Sequence, residues 1–226
     1  MRISKSFVVF YLGISGPLLG QSELTFPDVV LCDAEFDLTI DLPILLDNSE
    51  PSLPYEALTG DELFVAINGD DVSGDGSSAN PYATIQHAIS QASDGMIVTV
   101  TDGTYSGFGN TGISPEGKDI VIQSLNGPFV TSIDGEMANQ GFVVNSGETL
   151  STVIRGFTIE NTVDITGLTQ AAGIFVEDNS GIGITHCIFQ NNERCVRLGN
   201  TEVSGPQSYL ESCAFIRNSG PAIYAS

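Results

Sequence analysis

A guanidinium, an imidazole and a carboxylate stand at comparable places in the C-terminal half of this 226-residue chain: Arg155, His186 and Glu211. Side chains of these types lining one groove can exchange protons, the imidazole and the carboxylate acting as acid or base. They are far apart in sequence, so only a repeating fold would bring them together. The competing reading is that they are ordinary polar residues at solvent-facing bends.

A second candidate group is Asp70, Asp71 and Asp75. Residues 71–76 place oxygen-bearing side chains at alternate positions, like the opening of a calcium loop. The closing Glu is missing, and Tyr82 occupies the twelfth position. A tight turn of Asp and Gly explains the same residues without a metal. Calcium is thus the one cofactor the sequence raises. Tyr105, Phe108 and Tyr209 are candidates for stacking on sugar rings, with core packing as the ordinary alternative.

The elements that must position these residues are repeats. Residues 153–159, 183–189 and 209–215 align at every inward position. Ile154, Ile184 and Leu210 form one column. Phe157, Cys187 and Cys213 form a second, and Ile159, Phe189 and Phe215 a third. Each column repeats the same two offsets, 30 and then 26 residues. An earlier copy at 119–125 extends the first two columns with Ile122 and Leu125. Repeats of this length signal solenoids or propellers. Within each copy the inward spacing changes from three to two, whereas a straight strand keeps strict period two. The chain must therefore bend at 155–156, 185–186 and 211–212. Short strands that bend and return one strand spacing higher build a parallel β-helix. On that winding Arg155 shares a column with Gln123, Thr185 and Glu211, and His186 lies in the next column beside Glu211.

Residues 84–93 form the one convincing helix: Ile85, Ala88, Ile89 and Ala92 fall on a single apolar face. Thr84 or Asn80 can cap its start. An open solenoid end exposes core and unpaired backbone, so this helix reads as a cap. Coils are expected at 96–103, 119–145, 152–177, 182–198 and from 208, about five in all, with an enlarged loop at 163–171. The last residues fall within a strand with no second cap, which gives the expectation that the coils belong to a longer protein or else cap themselves by association. Asn161, Asn191, Asn192 and Asn218 follow the third column and read as a structural stack.

Formal net charge is −21, and no Lys or Arg occurs between Lys5 and Lys118. This argues against nucleic acid, whose phosphates need Lys and Arg, and against anionic membranes. Residues 1–22 read as a signal peptide, with Arg2 and Lys5 ahead of an apolar core at 7–12. Its removal takes the charge from −21 to −23 by losing two cations. No other apolar run approaches the length of a membrane span. A secreted or cell-surface protein, bacterial in character, is the expectation. Residues 23–62 form an acidic extension or linker with four prolines and one alternating stretch at 35–42. Cys32, Cys187, Cys195 and Cys213 show no metal spacing. Cys187 and Cys213 read as stacked buried thiols, with a strained disulfide as the alternative.

Two blocks carry a family resemblance. One is FVAINGDDVSGDGSSANPYATIQ at 64–86, followed by DGTY at 102–105. The other is GPFVTSIDG at 127–135, then NSG at 145–147 and RGFTI at 155–159. Over residues 63–226 the chain resembles secreted right-handed parallel β-helix proteins of the pectate-lyase-like superfamily, including bacterial surface proteins with that fold. The resemblance implies an all-β solenoid with an N-terminal capping helix. It is specific for fold and not for function, because this fold hosts lyases, hydrolases, epimerases, tailspikes and adhesin-like proteins. Lyases of the family use an Arg or Lys base beside calcium on an acidic sugar, which would cast Arg155, His186 and Glu211 as catalytic. Its hydrolases carry paired Asp residues on adjacent rungs, and this chain has no such pair on a rung strand. Scarce cations and the missing acid pair favour a non-catalytic module that contacts polysaccharide or a cell surface. The alternative is a calcium-dependent polysaccharide lyase acting on acidic glycans.

Overall fold

The computed structural model describes residues 60–163, 173–177, 179–198 and 208–225. The expected signal peptide, the stretch at 35–42, Cys32 and nearly all of the 163–171 loop lie outside them. Three parallel sheets run up the molecule. The first holds β1 (Glu62–Val65), β2 (Ile97–Val100), β4 (Val121–Ser124), β7 (Val153–Arg155), β10 (Gly183–Thr185) and β13 (Tyr209–Glu211), in that order. The second holds β3 (Gly103–Ser106), β5 (Thr131–Asp134), β8 (Thr158–Glu160), β11 (Ile188–Gln190) and β14 (Ala214–Ile216). The third holds β6 (Phe142–Val144), β9 (Ile174–Val176), β12 (Val196–Leu198) and β15 (Ile223–Ala225). Neighbours within each sheet are strands from successive coils, which defines a parallel β-solenoid. About four turns carry all three strands. The first of the five expected coils lacks a third strand and makes only a single bridge there, Ile113 to Phe142.

The register follows the sequence columns. Ile122, Ile154, Ile184 and Leu210 are successive partners. Tyr105, Ile133, Ile159, Phe189 and Phe215 form the column on the second sheet. Apart from the partly buried Leu210 and Phe215 on the last turn, these side chains are buried. Each contributes about 1.5–3 kcal/mol relative to exposure. Leu125 is a correction: it is 45% exposed and does not join the Phe157 column. The strand in that coil runs one residue further, through the buried Ser124, whose hydroxyl donates to the Gly156 carbonyl.

Two left-handed corners per coil hold this register. Gly156, His186 and Ser212 have φ of 76, 54 and 52° at the bends the spacing predicts. Asn161, Asn191 and Arg217 repeat the geometry after the second sheet at φ 52, 55 and 53°. A non-glycine residue there costs about 1–2 kcal/mol, and Asn bears it better than most. One position further on, the buried Asn192 satisfies the backbone of a neighbouring coil. Its Nδ2 donates to Ile159 O (2.8 Å), and its Oδ1 accepts from Thr162 N (3.0 Å) and Thr162 Oγ1 (2.7 Å). Asn218 repeats the pattern by donating to Phe189 O (2.9 Å) and accepting from Asn192 N (2.9 Å).

Helix α1 (Ile85–Gln91) covers the lower end with Ile85, Ala88 and Ile89. Thr84 is its N-cap and accepts from His87 N (3.3 Å), while Asn110 Oδ1 accepts from Ile85 N (3.0 Å). At the other end Lys118 Nζ donates to the carbonyls of Ile89 (2.6 Å) and Ser90 (3.3 Å), where a cation complements the helix dipole. Cys187, Cys195 and Cys213 are free and buried. Burial raises all three thiols, Cys195 to about 12 and Cys213 to about 11, which removes them as nucleophiles at neutral pH.

The corner and the ladder should separate in mutants. Asn192→Ala strands the Thr162 amide and the Ile159 carbonyl and is expected to cost roughly 2–4 kcal/mol in urea unfolding. Asn191→Gly at the neighbouring corner should be neutral or stabilising, since glycine accepts φ near +55° without strain. Equal losses from the two substitutions would refute the ladder.

Candidate functional site

The ladder register places the chemistry-bearing residues of the first sheet in one strip. Thr99, Gln123, Arg155, Thr185 and Glu211 are successive partners on five strands, about 4.8 Å apart. Gln123 Nε2 donates to Thr99 Oγ1 (3.2 Å), and Thr99 Oγ1 donates to the Glu62 carboxylate. His186 sits at the corner after β10, and its backbone amide donates to Glu211 O (2.9 Å). Its imidazole lies within electrostatic reach of both expected companions. Burial, and then the Arg155 charge, hold its pKa below the ordinary histidine range, with Glu211 opposing. The structure thus brings Arg155, His186 and Glu211 together. His186 is kept neutral at neutral pH, and its Nδ1 and Gln123 Oε1 are buried without a hydrogen-bond partner. Beside the strip, the Tyr209 ring lies against Gly183, where an added Cβ would come within 2.5 Å of its hydroxyl.

Asp70, Asp71 and Asp75 all accept hydrogen bonds from nearby backbone and hydroxyl groups. Asp70 Oδ1 accepts from Val72 N (2.7 Å) and Oδ2 from Ser73 Oγ (2.8 Å). Asp75 Oδ1 accepts from Ser77 N (2.9 Å). The Val72 amide and the Ser73 hydroxyl hold the Asp70 carboxyl below the ordinary aspartate range, and the Ser77 hydroxyl and then its amide do the same for Asp75. Asp71 reaches across to the helix start, accepting from Ala83 N (2.8 Å), Thr84 N (3.0 Å) and Thr84 Oγ1 (2.7 Å). Among the described residues no group of three or more His, Cys, Asp or Glu side chains converges to hold a metal ion. The loop's donor set therefore fits an Asx turn better than a calcium cage.

The spacing arguments missed a groove of about 210 Å³ on the outer face of the second sheet. Thr104, Ser132, Thr158, Glu160 and Gln190 line it, with Phe129 at its margin. Ser132 Oγ donates to Thr104 Oγ1 (3.2 Å), Thr158 Oγ1 to Pro128 O (2.7 Å) and Gln190 Nε2 to Glu160 Oε2 (2.7 Å). Phe129 is 69% exposed. The available signal was the outward partners of the inward column, which alternate with Ile133, Ile159 and Phe189. Of the three aromatic candidates, Tyr105 is buried and donates to Thr101 O (3.0 Å), Tyr209 packs on Gly183, and Phe108 is fully exposed.

The fold and these surfaces define a parallel β-solenoid with a capped lower end. A family described as "Protein of unknown function (DUF1565)", which is found in β-helix proteins, matches residues 67–112. That stretch spans the aspartate loop, α1 and β3. No curated protein and no solved structure matches the chain. No helix of the described residues is long and apolar enough to cross a membrane.

The depressed His186 pKa has a sign. The unfolded chain binds a proton near the ordinary histidine pKa and the folded chain does so only at lower pH. The contribution of His186 is therefore complete above that ordinary value and is lost as pH falls toward the folded one. His186→Gln should flatten the loss of thermal stability between about pH 7 and 5. An unchanged slope in that window would show that the imidazole is solvated like a free one.

Proposed function

We propose that this solenoid is a non-catalytic carbohydrate-contact module of an exported protein, and that an extended glycan lies on the outer face of its second sheet. One observation carries the reading. An exposed aromatic ring, Phe129, borders a groove of hydroxyl, amide and carboxylate groups set on rigid rungs. Glycans are bound by this combination, the ring covering a C–H face of the sugar while fixed polar groups meet its hydroxyls. The rungs repeat every ~4.8 Å, so a polymer meets similar groups along the sheet. Export is supported by the character of residues 1–22.

The Arg155–His186–Glu211 strip supports a second reading, a calcium-dependent lyase on acidic glycans. Arg155 would take the proton beside the uronate carboxylate while a metal lowers its pKa. That chemistry also needs carboxylates that converge to hold the metal, and the described residues offer no such group. The binding reading therefore stands first.

Phe129→Ala is expected to weaken glycan affinity by tenfold or more in affinity electrophoresis over a panel of soluble polysaccharides. A thermal melt of the variant checks that the protein assayed is folded. Retardation identical to the wild type on every polymer would sink the groove as a binding face. Appearance of unsaturated ends from polygalacturonate, abolished by chelator, would replace the module with the lyase.

A further inference from the structure

A second concavity, of about 350 Å³, lies between α1 and the loop after β3. It is lined by Asp71, His87, Ser90, Phe108 and Thr111 among others, all within the 67–112 stretch. We propose that it binds a cationic sugar, an amino-sugar unit of the glucosamine type carrying a protonated amine. The inference rests on the carbohydrate reading above and names the sugar class for a separate site.

Three observations carry it. The Phe108 ring is fully exposed, yet its loop is held in place. Gln86 N donates to Gly109 O (2.9 Å), Thr111 Oγ1 to Gly107 O (2.9 Å) and Ile85 N to Asn110 Oδ1 (3.0 Å). A solvated ring carried on a loop whose backbone is held this way presents its face with less backbone ordering left to do on binding. The Asp71 carboxylate is held in direction by three donors from the helix start, which involve no cation and leave Oδ2 with a single bond, from Thr84 Oγ1. Finally, the surrounding chain is one-signed. Residues 60–117 contain Asp61, Glu62, Asp70, Asp71, Asp75, Asp94, Asp102 and Glu116 and no Lys or Arg. The nearby Lys118 is engaged by Glu116 (3.2 Å) and by the last carbonyls of α1. Such a field repels uronates, sulfates and phosphates and attracts an ammonium. An ammonium gains from both the ring face and the carboxylate, and the sugar ring attached to it supplies C–H surface for Phe108. The volume is at the small end for ligand pockets, which suits one ring.

The test is calorimetric titration of the full chain with glucosamine oligomers, N-acetylglucosamine oligomers, polygalacturonate and trilysine. Glucosamine oligomers should bind at least tenfold more tightly than the N-acetylated series and weaken as salt is raised. Phe108→Ala should lose that binding tenfold or more, and Phe129→Ala should keep it. Asp71→Asn, its folding checked by thermal melt, should abolish the preference for the free amine. Equal binding of both oligomer series, or no effect of Phe108→Ala, overturns the proposal. So does trilysine binding as tightly as the amino sugar, because the site would then read charge alone. Neutral oligomers bound through Phe129 only would overturn this site and leave the carbohydrate reading intact. Binding of no glycan at all would overturn both.

Discussion

Every coil must return to the same azimuth one strand spacing higher, and the backbone hydrogen bonds between coils enforce this. Strands of three or four residues cannot hold such a register alone. The two left-handed corners fix it. Gly156, His186 and Ser212 stack at one, and Asn161, Asn191 and Arg217 at the other. Strain at each corner is offset by the ladder bonds on either side, as where His186 N donates to Glu211 O and Asn191 N to Ile216 O. Buried columns follow from this geometry, because a fixed turn brings like positions above one another. Outward strips follow too, so the corners that make the fold also align its outward polar side chains.

His186 shows how closely structure and chemistry overlap here. Its place is a corner, which any residue tolerant of positive φ could fill. Its imidazole nonetheless feels the charges of both Arg155 and Glu211, because the corner stacks beside their column. A solenoid of this kind sets polar side chains side by side as a consequence of winding. Their proximity is thus weaker support for catalysis than it would be in a fold where distant loops must converge.

The columns were legible in the sequence because inward positions repeat with fixed offsets, and a β-helix has few other constraints. The bends at 155–156, 185–186 and 211–212 were legible because the inward parity changes there. Thr84 as helix cap was legible from its place before Ile85. Leu125 was misplaced because apolar character at the right offset does not reveal that its strand continues through Ser124. The groove by Phe129 stayed hidden for a related reason. Outward residues obey no repeat of type, only of position, so Ser132, Glu160 and Gln190 look like any solvated polar residues until the register is known. For Asp71 the spacing left a calcium loop and a tight turn open, and neither reading includes the bonds its carboxylate accepts from Ala83 and Thr84, contacts that no local motif reveals.

Charge divides the molecule along its axis. Of the described cations, Lys118 serves the helix end, and the four arginines, Arg155, Arg194, Arg197 and Arg217, all belong to the later coils. Up to residue 117 the described cap and first coil carry carboxylates and no Lys or Arg. The aspartate loop uses Asp70, Asp71 and Asp75 as hydrogen-bond acceptors for backbone and hydroxyl donors. Such bonds fix the direction of the charges without neutralising them. The result is a rigid negative surface around an exposed ring at one end and a mixed polar face further up. The two surfaces differ in field although both are built from the same winding.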